Sequence, residues 1–461
     1  MVVCRQFGLN ILNKSTIRHF DYSTCSNILE SKLLRTKHLL KYNKLSSDIA
    51  SQDSKQNLKQ TDIQRLKSKS SVYIHWPYCR RKCTYCNFNK YVAKKVDNES
   101  MIASILQEWE TVSRETGVNQ PTSIFFGGGT PSLMQHKDIR QIISHISGGS
   151  DIEISLEANP SDILETALEF KQAGVNRLSL GIQSFQDTTL QFFNRDHDAE
   201  TGQRSLETCL NVFGSRRVSG DLIFGVPGQT VQDWLQELRV LVSLGVHHIS
   251  TYQLTVERGT LLHKQVKTGS ARLPGEEELA DLYLAGVQLL TSEGFNRYEV
   301  SSFAKEGAEC SHNISYWRGH QYIGLGPGAH SRVGFGAERE ARINVLAPGR
   351  WMNQVESTGD GIVQRRKLDL LECLGELITT GLRRSVGING NDWNTLSQNL
   401  LPFQDLISEL NRVQEDKERS GELEGLAWSQ DGVWLDNSAL NIADHIIPNL
   451  YYVLQDLIKF Q

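Results

Sequence analysis

No stretch of this 461-residue chain approaches the 18 or so consecutive apolar residues that a membrane span needs. Its formal net charge of −4 leaves no general basic surplus, so the charge balance does not ask for nucleic acid as a partner. Internal repeats are lacking, which excludes a solenoid. A disulfide framework is lacking as well. Of the eight cysteines, Cys79, Cys83 and Cys86 crowd into eight residues, while Cys4, Cys25, Cys209, Cys310 and Cys373 are scattered. That distribution suits a metal site in a reducing compartment. With 39% hydrophobic and 22% charged residues, the composition is that of an ordinary soluble globular protein.

Acidic residues are scarce at the start. Residues 1–45 carry eight Lys or Arg against only Asp21 and Glu30, among many Ser, Thr and Asn. The compact apolar core of a secretory signal is not visible there. Such a start resembles a mitochondrial transit peptide, with a disordered basic tail as the plainer alternative. Residues 46–70, rich in Ser, Gln and Lys, read as a linker. The expected location is the mitochondrion.

From Ser71 onward, short β-branched apolar runs alternate with longer stretches of helical period. Candidate strands are Val72–Trp76, Ser123–Phe126, Ile152–Glu157, Arg177–Ile182, Asp221–Gly225 and Ile249–Leu254. Helical stretches such as Met101–Val112 and Val231–Leu244 lie between them. Strands alternating with helices predict βαβ units and a parallel sheet. Six units are too few for a closed eight-fold barrel, so the expected fold is α/β, a partial (β/α)6 barrel over residues 71–300. Its chemistry belongs at the C-terminal ends of the strands. After Leu254 the rhythm changes. Glu276–Leu290 reads as an amphipathic helix, Arg297–Ser331 is dense in aromatics and glycine, and the chain after Lys367 is mostly helical. Residues 301–461 are expected to form a smaller, mostly helical C-terminal domain covering the barrel mouth.

The loop after the first strand reads Tyr-Ile-His-Trp-Pro-Tyr-Cys79-Arg-Arg-Lys-Cys83-Thr-Tyr-Cys86. Thiolates are the usual ligands of iron–sulfur clusters, and four normally close one cubane. Three would leave one iron open to an exchangeable ligand. A zinc site is the alternative, although the second close pair of ligands usual in zinc fingers does not follow. Arg80, Arg81 and Lys82 put positive charge beside the sulfurs, which favours thiolate. Phe126-Gly-Gly-Gly-Thr130-Pro131 follows the second strand, and glycine lets backbone approach a ligand closely.

These residues resemble the radical S-adenosylmethionine (SAM) superfamily, in which the amino and carboxylate groups of SAM chelate the open iron of a 4Fe–4S cluster. The resemblance narrows to the oxygen-independent coproporphyrinogen III dehydrogenases and the related haem chaperones of the HemW type. It rests on the cluster loop, Gly-Gly-Gly-Thr-Pro, Ser155-Leu-Glu-Ala-Asn-Pro160, Arg177-Leu-Ser-Leu-Gly-Ile-Gln183 and Asp221-Leu-Ile-Phe-Gly-Val-Pro-Gly-Gln-Thr230. It implies that Cys79, Cys83 and Cys86 hold the cluster, with Tyr73 near it. Tyr85 would pack the adenine, and Gly128, Gly129 and Thr130 the amino-acid end of SAM. Glu157, Gln183, Arg195 and Asp221 would be polar SAM contacts, each with a structural hydrogen bond as its alternative.

Two features separate the branches. The dehydrogenases resemble C-x3-C-x2-C-x-C, and here Phe88 stands at the last position. His312-Asn313-Ile-Ser-Tyr316-Trp317 is similar to the H-N-x-x-Y-W motif of the chaperones, where it is associated with haem. Imidazole is a common axial haem ligand, and Tyr316 and Trp317 suit stacking on a porphyrin, though core packing accounts for such a segment equally well. The resemblance thus implies a haem chaperone that passes haem to respiratory or membrane haem proteins, with a decarboxylating dehydrogenase as the rival. No catalytic residue is assigned, SAM cleavage stays open, and a homodimer is neither required nor excluded.

Overall fold

The computed structural model describes residues 69–459 apart from 94, 417 and 418. The expected transit peptide lies outside the described residues, as does all but the end of the expected linker.

All six expected strands form. β1 (Lys69–Trp76), β2 (Gln120–Gly128), β3 (Glu153–Ala158), β4 (Arg177–Gln183), β5 (Val218–Phe224) and β6 (His248–Gln253) lie side by side in chain order, every pair parallel. The helices between them include α1 (Asn98–Thr116), α2 (His136–Ser147), α3 (Ala199–Phe213) and α4 (Val231–Ser243). Local signals set their ends. Asp97 caps α1 by accepting from the Ser100 N–H, and Gly117 ends it in the left-handed region at φ 72°. Thr230 and Asp233 form a reciprocal capping box at the start of α4.

Side-chain alternation explains the barrel. Along β3 to β6, Leu156, Leu180, Leu222 and Ile249 point outward into the core shared with the helices. Their alternates Ser155, Glu157, Ser179, Asp221 and Ser250 line an inner cavity. Small polar side chains in that inner layer leave space where closed barrels of this kind are packed with branched residues.

The sheet extends past residue 300. It has twelve strands, adding β7 (Asn296–Arg297), β8 (Ser302–Ala304), β9 (Tyr322–Leu325), β10 (His330–Val333), β11 (Glu340–Asn344) and β12 (Ile362–Lys367) in the order β12-β11-β10-β9-β1-β2-β3-β4-β5-β6-β8-β7. β9 runs parallel to β1, and β10 to β12 continue antiparallel. The 300/301 position of the sequence reading therefore falls between β7 and β8, inside the sheet. The four-residue β9 is too short and too rich in glycine neighbours to announce itself. Gly324 is required there, because a Cβ would come within 2.1 Å of the His330 carbonyl oxygen.

Further helices in this half include α5 (Glu276–Ser292) and the short α6 (Ser311–Trp317). α6 closes the bottom of the barrel. Its Ser315 hydroxyl meets Ser71, its His312 ring meets Ser123, and its His312 N–H donates to Glu153, each at the N-terminal part of a barrel strand. From Leu368 onward a second core forms around α7 (Leu370–Gly381), α8 (Gly390–Ser397), α9 (Phe403–Glu415) and α10 (Ala443–Lys459), joined by a small three-stranded sheet. The fold is thus an α/β partial barrel followed by a smaller, mostly helical part.

Candidate functional site

The cysteine loop is pinned on several sides. Tyr78–Cys79 pairs with Tyr91–Val92, closing the loop at its base. The Thr84 N–H and hydroxyl donate to the carbonyls of Phe193 and Phe192, and the Asn194 amide donates to Lys82 O. Asn89 donates to Pro327 O and Leu346 O, both at 2.9 Å, and its own carbonyl pairs with His75 Nε2 at 2.8 Å. His75 in turn pairs with the Tyr73 hydroxyl at 3.1 Å. Tyr73 therefore sits under the loop through His75.

Cys79, Cys83 and Cys86 all line one cavity, about 1660 Å³ of empty space counted out to its open mouth. Burial pushes the Cys79 thiol up to about 11 and also raises Cys86, against the pull of Thr130 and Lys90 respectively. Thiols so desolvated gain from a cationic centre that takes them as thiolates. Among the described residues, no three His, Cys, Asp or Glu side chains converge closely enough to share one metal ion.

The glycine run abuts this loop. Gly128 N–H donates to Glu157 at 3.0 Å, Gly129 N–H to Trp76 O at 2.7 Å and Thr130 N–H to Tyr78 O at 2.9 Å. With these donors used, the run is not an anion nest, and it suits the cationic amino end of a ligand. A Cβ on Gly129 would lie 2.8 Å from Pro77 C and Tyr78 O, so glycine is what allows the two segments to touch.

Arg195 crosses behind the sulfurs. Its Nη1 lies 3.5 Å from Cys83 Sγ, its Nη2 donates to Asn159 Oδ1 at 2.8 Å and Gly181 O at 2.9 Å, and its Nε is buried without a partner. Gln183 lines the same cavity with a buried, unpartnered Oε1. Its backbone takes φ 67°, a region that costs a side-chain-bearing residue about a kilocalorie and that often marks functional sites. Two residues of the cavity lining thus carry an open donor and an open acceptor, which fits a ligand bearing both charges. Tyr85 lines the cavity and packs edge-on against Phe193 at 4.8 Å. Burial raises the Glu157 carboxyl to about 7, and the Gly128 N–H opposes the shift.

Asp221 is different. It lines the cavity, but Ser179 donates to it at 2.5 Å and Ser219 at 2.8 Å, and a bond from Ser250 also lowers its pKa against the larger effect of burial. Its oxygens are already engaged by hydroxyls of the inner layer.

Of the four residues of the aromatic motif, only Asn313 lines the cavity, at its floor beside Cys310. His312 is 3% exposed, pairs through Nδ1 with Ser123 at 2.9 Å and stacks on Phe125 with centroids 4.9 Å apart. Burial lowers its pKa to about 3, so the ring is neutral. The Tyr316 hydroxyl meets that of Tyr322 at 3.1 Å, and Trp317 is fully buried. His312, Tyr316 and Trp317 are not brought to the cluster loop.

The sequence reading missed Asn159, Asn194, His75 and the serines of the inner layer. Period-two alternation in Ser155-Leu-Glu157 was the available signal for the serines, since it places Ser155 on the face of Glu157. Asn159 and Asn194 act through contacts far apart in sequence, which carry no local signature.

Residues 73–241 match the Radical SAM superfamily. A zebrafish protein named mitochondrial radical S-adenosyl methionine domain-containing protein 1 is 41% identical over 338 residues, 71% of this chain and 76% of that protein. The haem chaperone HemW of Bacillus subtilis is 33% identical over 325 residues, 69% of this chain and 84% of that protein. The solved structure of Escherichia coli coproporphyrinogen III oxidase (HemN) superposes with a TM-score of 0.68 at 20% identity, over 85% of this chain and 93% of that one, and shares the fold.

Proposed function

This chain belongs to the radical SAM family, in the branch of the mitochondrial radical S-adenosyl methionine domain-containing protein 1 and the HemW haem chaperones, and from that premise we propose that it binds haem and hands it to a respiratory or other haem protein. The protein is mitochondrial. Family membership implies a 4Fe–4S cluster and SAM. When bound, that pair supplies an open iron for the amino and carboxylate groups of SAM and an electron for its sulfonium.

Each residue has a task in this reading. Cys79, Cys83 and Cys86 hold the cluster, and Tyr73 supports their loop through His75. Gly128, Gly129 and Thr130 face the amino end of SAM, Arg195 pairs with its carboxylate, and Tyr85 packs the adenine. Gln183 offers its open acceptor, Glu157 faces the cationic part, and Asp221 acts through its serines. Asn313 is the one motif residue placed to touch a ligand in the cavity. For His312 to serve as an axial ligand, its ring must leave Ser123 and Phe125.

The observation that carries the haem reading is Phe88. It lines the mouth of the cavity where the dehydrogenase pattern has a cysteine, so an apolar ring stands in place of a thiol. The test is anaerobic reconstitution followed by titration with haem. Expected are iron and acid-labile sulfide, a saturable Soret change, and haem transfer to an apo-acceptor. Zinc without sulfide would remove the cluster, and carbon dioxide release from coproporphyrinogen III with SAM would replace the chaperone by the decarboxylase.

A further inference from the structure

Charge is distributed unevenly along the depth of the cavity. Deep in the barrel the lining carries Glu157 and Asp221; of its two buried guanidiniums, Arg177 already serves Glu153 and three backbone carbonyls, and Arg195 is bound to Asn159 and Gly181 and assigned to the SAM carboxylate. At the mouth, the loop that bears the cysteines presents Arg80, Arg81 and Lys90 around the half-buried Phe88. Arg80 is committed to Asp162 at 2.7 Å. Arg81 donates to the carbonyl of Arg195, at 3.4 Å, and Lys90 to that of Cys86, where it also lies beside the Cys86 thiol. Neither has an ion pair to a carboxylate among the described residues. The acidic groups of the mouth, Asp196 and Glu257, belong to the segments after β4 and β6, outside the cysteine loop.

We infer that the mouth is a binding site for a flat apolar macrocycle with carboxylates along one edge, the ring lying against Phe88 and the carboxylates facing Arg81 and Lys90. The inference rests on the haem reading above and adds an orientation to it. A carboxylate edge pushed into the barrel would meet Glu157 and Asp221 and lose its hydration, and the one cation there with an open donor, Arg195, is already assigned to the SAM carboxylate. Turned outward, it meets two cations whose donors are not taken up by carboxylates, while the ring replaces water on an aromatic face. Phe88, Arg81 and Lys90 then determine which edge of the macrocycle enters, a role separate from that of His312.

The test compares iron protoporphyrin IX with its dimethyl ester, which keeps the ring and removes both charges. Both are titrated into the reconstituted full-length protein and into an Arg81→Gln/Lys90→Gln variant, followed at the Soret band. The expected result is that the wild type prefers the free acid by about five- to tenfold and that the variant binds acid and ester equally. Because each ratio is taken within one protein, loss of cluster from the variant affects both arms alike. As a second measurement on the wild type alone, raising salt from about 0.05 to 0.5 M should weaken the free acid and leave the ester unchanged. Equal binding of acid and ester by the wild type, or the same preference in both proteins, overturns the orientation. Absence of any Soret change in the wild type overturns the haem reading instead.

Discussion

The guanidinium of Arg195 reaches the sulfur of Cys83 at 3.5 Å while Asn159 and Gly181 hold its other nitrogen. One residue from the polar loop after β4 thus joins the loop after β1 to the far side of the cavity. Gly181 leaves room for the neighbouring Gln183 amide, since a Cβ there would lie 2.8 Å from Gln183 Nε2, whereas Arg195 Nη2, at 3.6 Å, would stay in ordinary contact.

This geometry separates two roles of the site. Arg195→Met removes the open Nε donor and leaves the three cysteines in place. Iron and sulfide content should stay at the wild-type level, while SAM affinity falls about ten- to a hundredfold, the worth of a charge-assisted hydrogen bond. Equilibrium dialysis with SAM, beside iron analysis of the same sample, measures both. Lost iron with unchanged SAM affinity would make Arg195 a cluster support only.

Glu157 gives SAM binding a pH dependence. Its carboxyl is raised to about 7 by burial, so it is largely neutral at pH 6 and ionised at pH 8. SAM carries a sulfonium and an ammonium against one carboxylate and is a net cation. Ionising a carboxylate that faces it strengthens binding, so affinity should rise about fivefold from pH 6 to pH 8. Glu157→Gln should bind SAM with a flat profile over that range. The same rise in the variant would assign the titration to another group.

The barrel was legible because its pattern is local. Strands such as Arg177–Gln183 and helices such as Asn98–Thr116 declare themselves within a dozen residues. The cysteine loop was legible for the same reason. The strands after residue 300 were not, since β9 is four residues long and is defined by pairing with β1, about 250 positions earlier. The motif around His312 was legible as a motif but not as a direction. Sequence does not say which residues of a seven-residue helix face a cavity, and here that is Asn313.

His312 can be tested as a support. Its ring pairs with Ser123, stacks on Phe125 and is buried and neutral. His312→Ala leaves a cavity and an unpaired hydroxyl under the barrel, which should cost about 2–3 kcal/mol, read from denaturant unfolding. Haem affinity of the folded variant and its Soret position should match the wild type. A displaced Soret band at unchanged stability would instead make the imidazole an axial ligand.

Glu108 ties α1 to the strands added after residue 300. It is fully buried and accepts from Gly326 N, Gly361 N, Asn344 Nδ2 and Trp351 Nε1 at 2.8 to 3.2 Å. Two effects oppose each other on its carboxyl. Four donors favour the ionised form, burial favours the neutral one, and burial wins, raising the pKa from 4.5 to about 7. A carboxyl raised on folding binds its proton more tightly in the native state than in the unfolded chain. Its contribution to stability is therefore fully present below about pH 4.5 and is lost as pH rises through about 7. Glu108→Gln keeps a neutral side chain of similar shape at every pH. The stability of the wild type relative to this variant should shrink between pH 5 and pH 8, by about 3 kcal/mol at most. Paired denaturant unfolding curves at the two pH values measure it. A difference that stays level or widens with pH would mean that the four donors keep Glu108 ionised throughout, and that α1 is fastened to the outer strands by a buried charge.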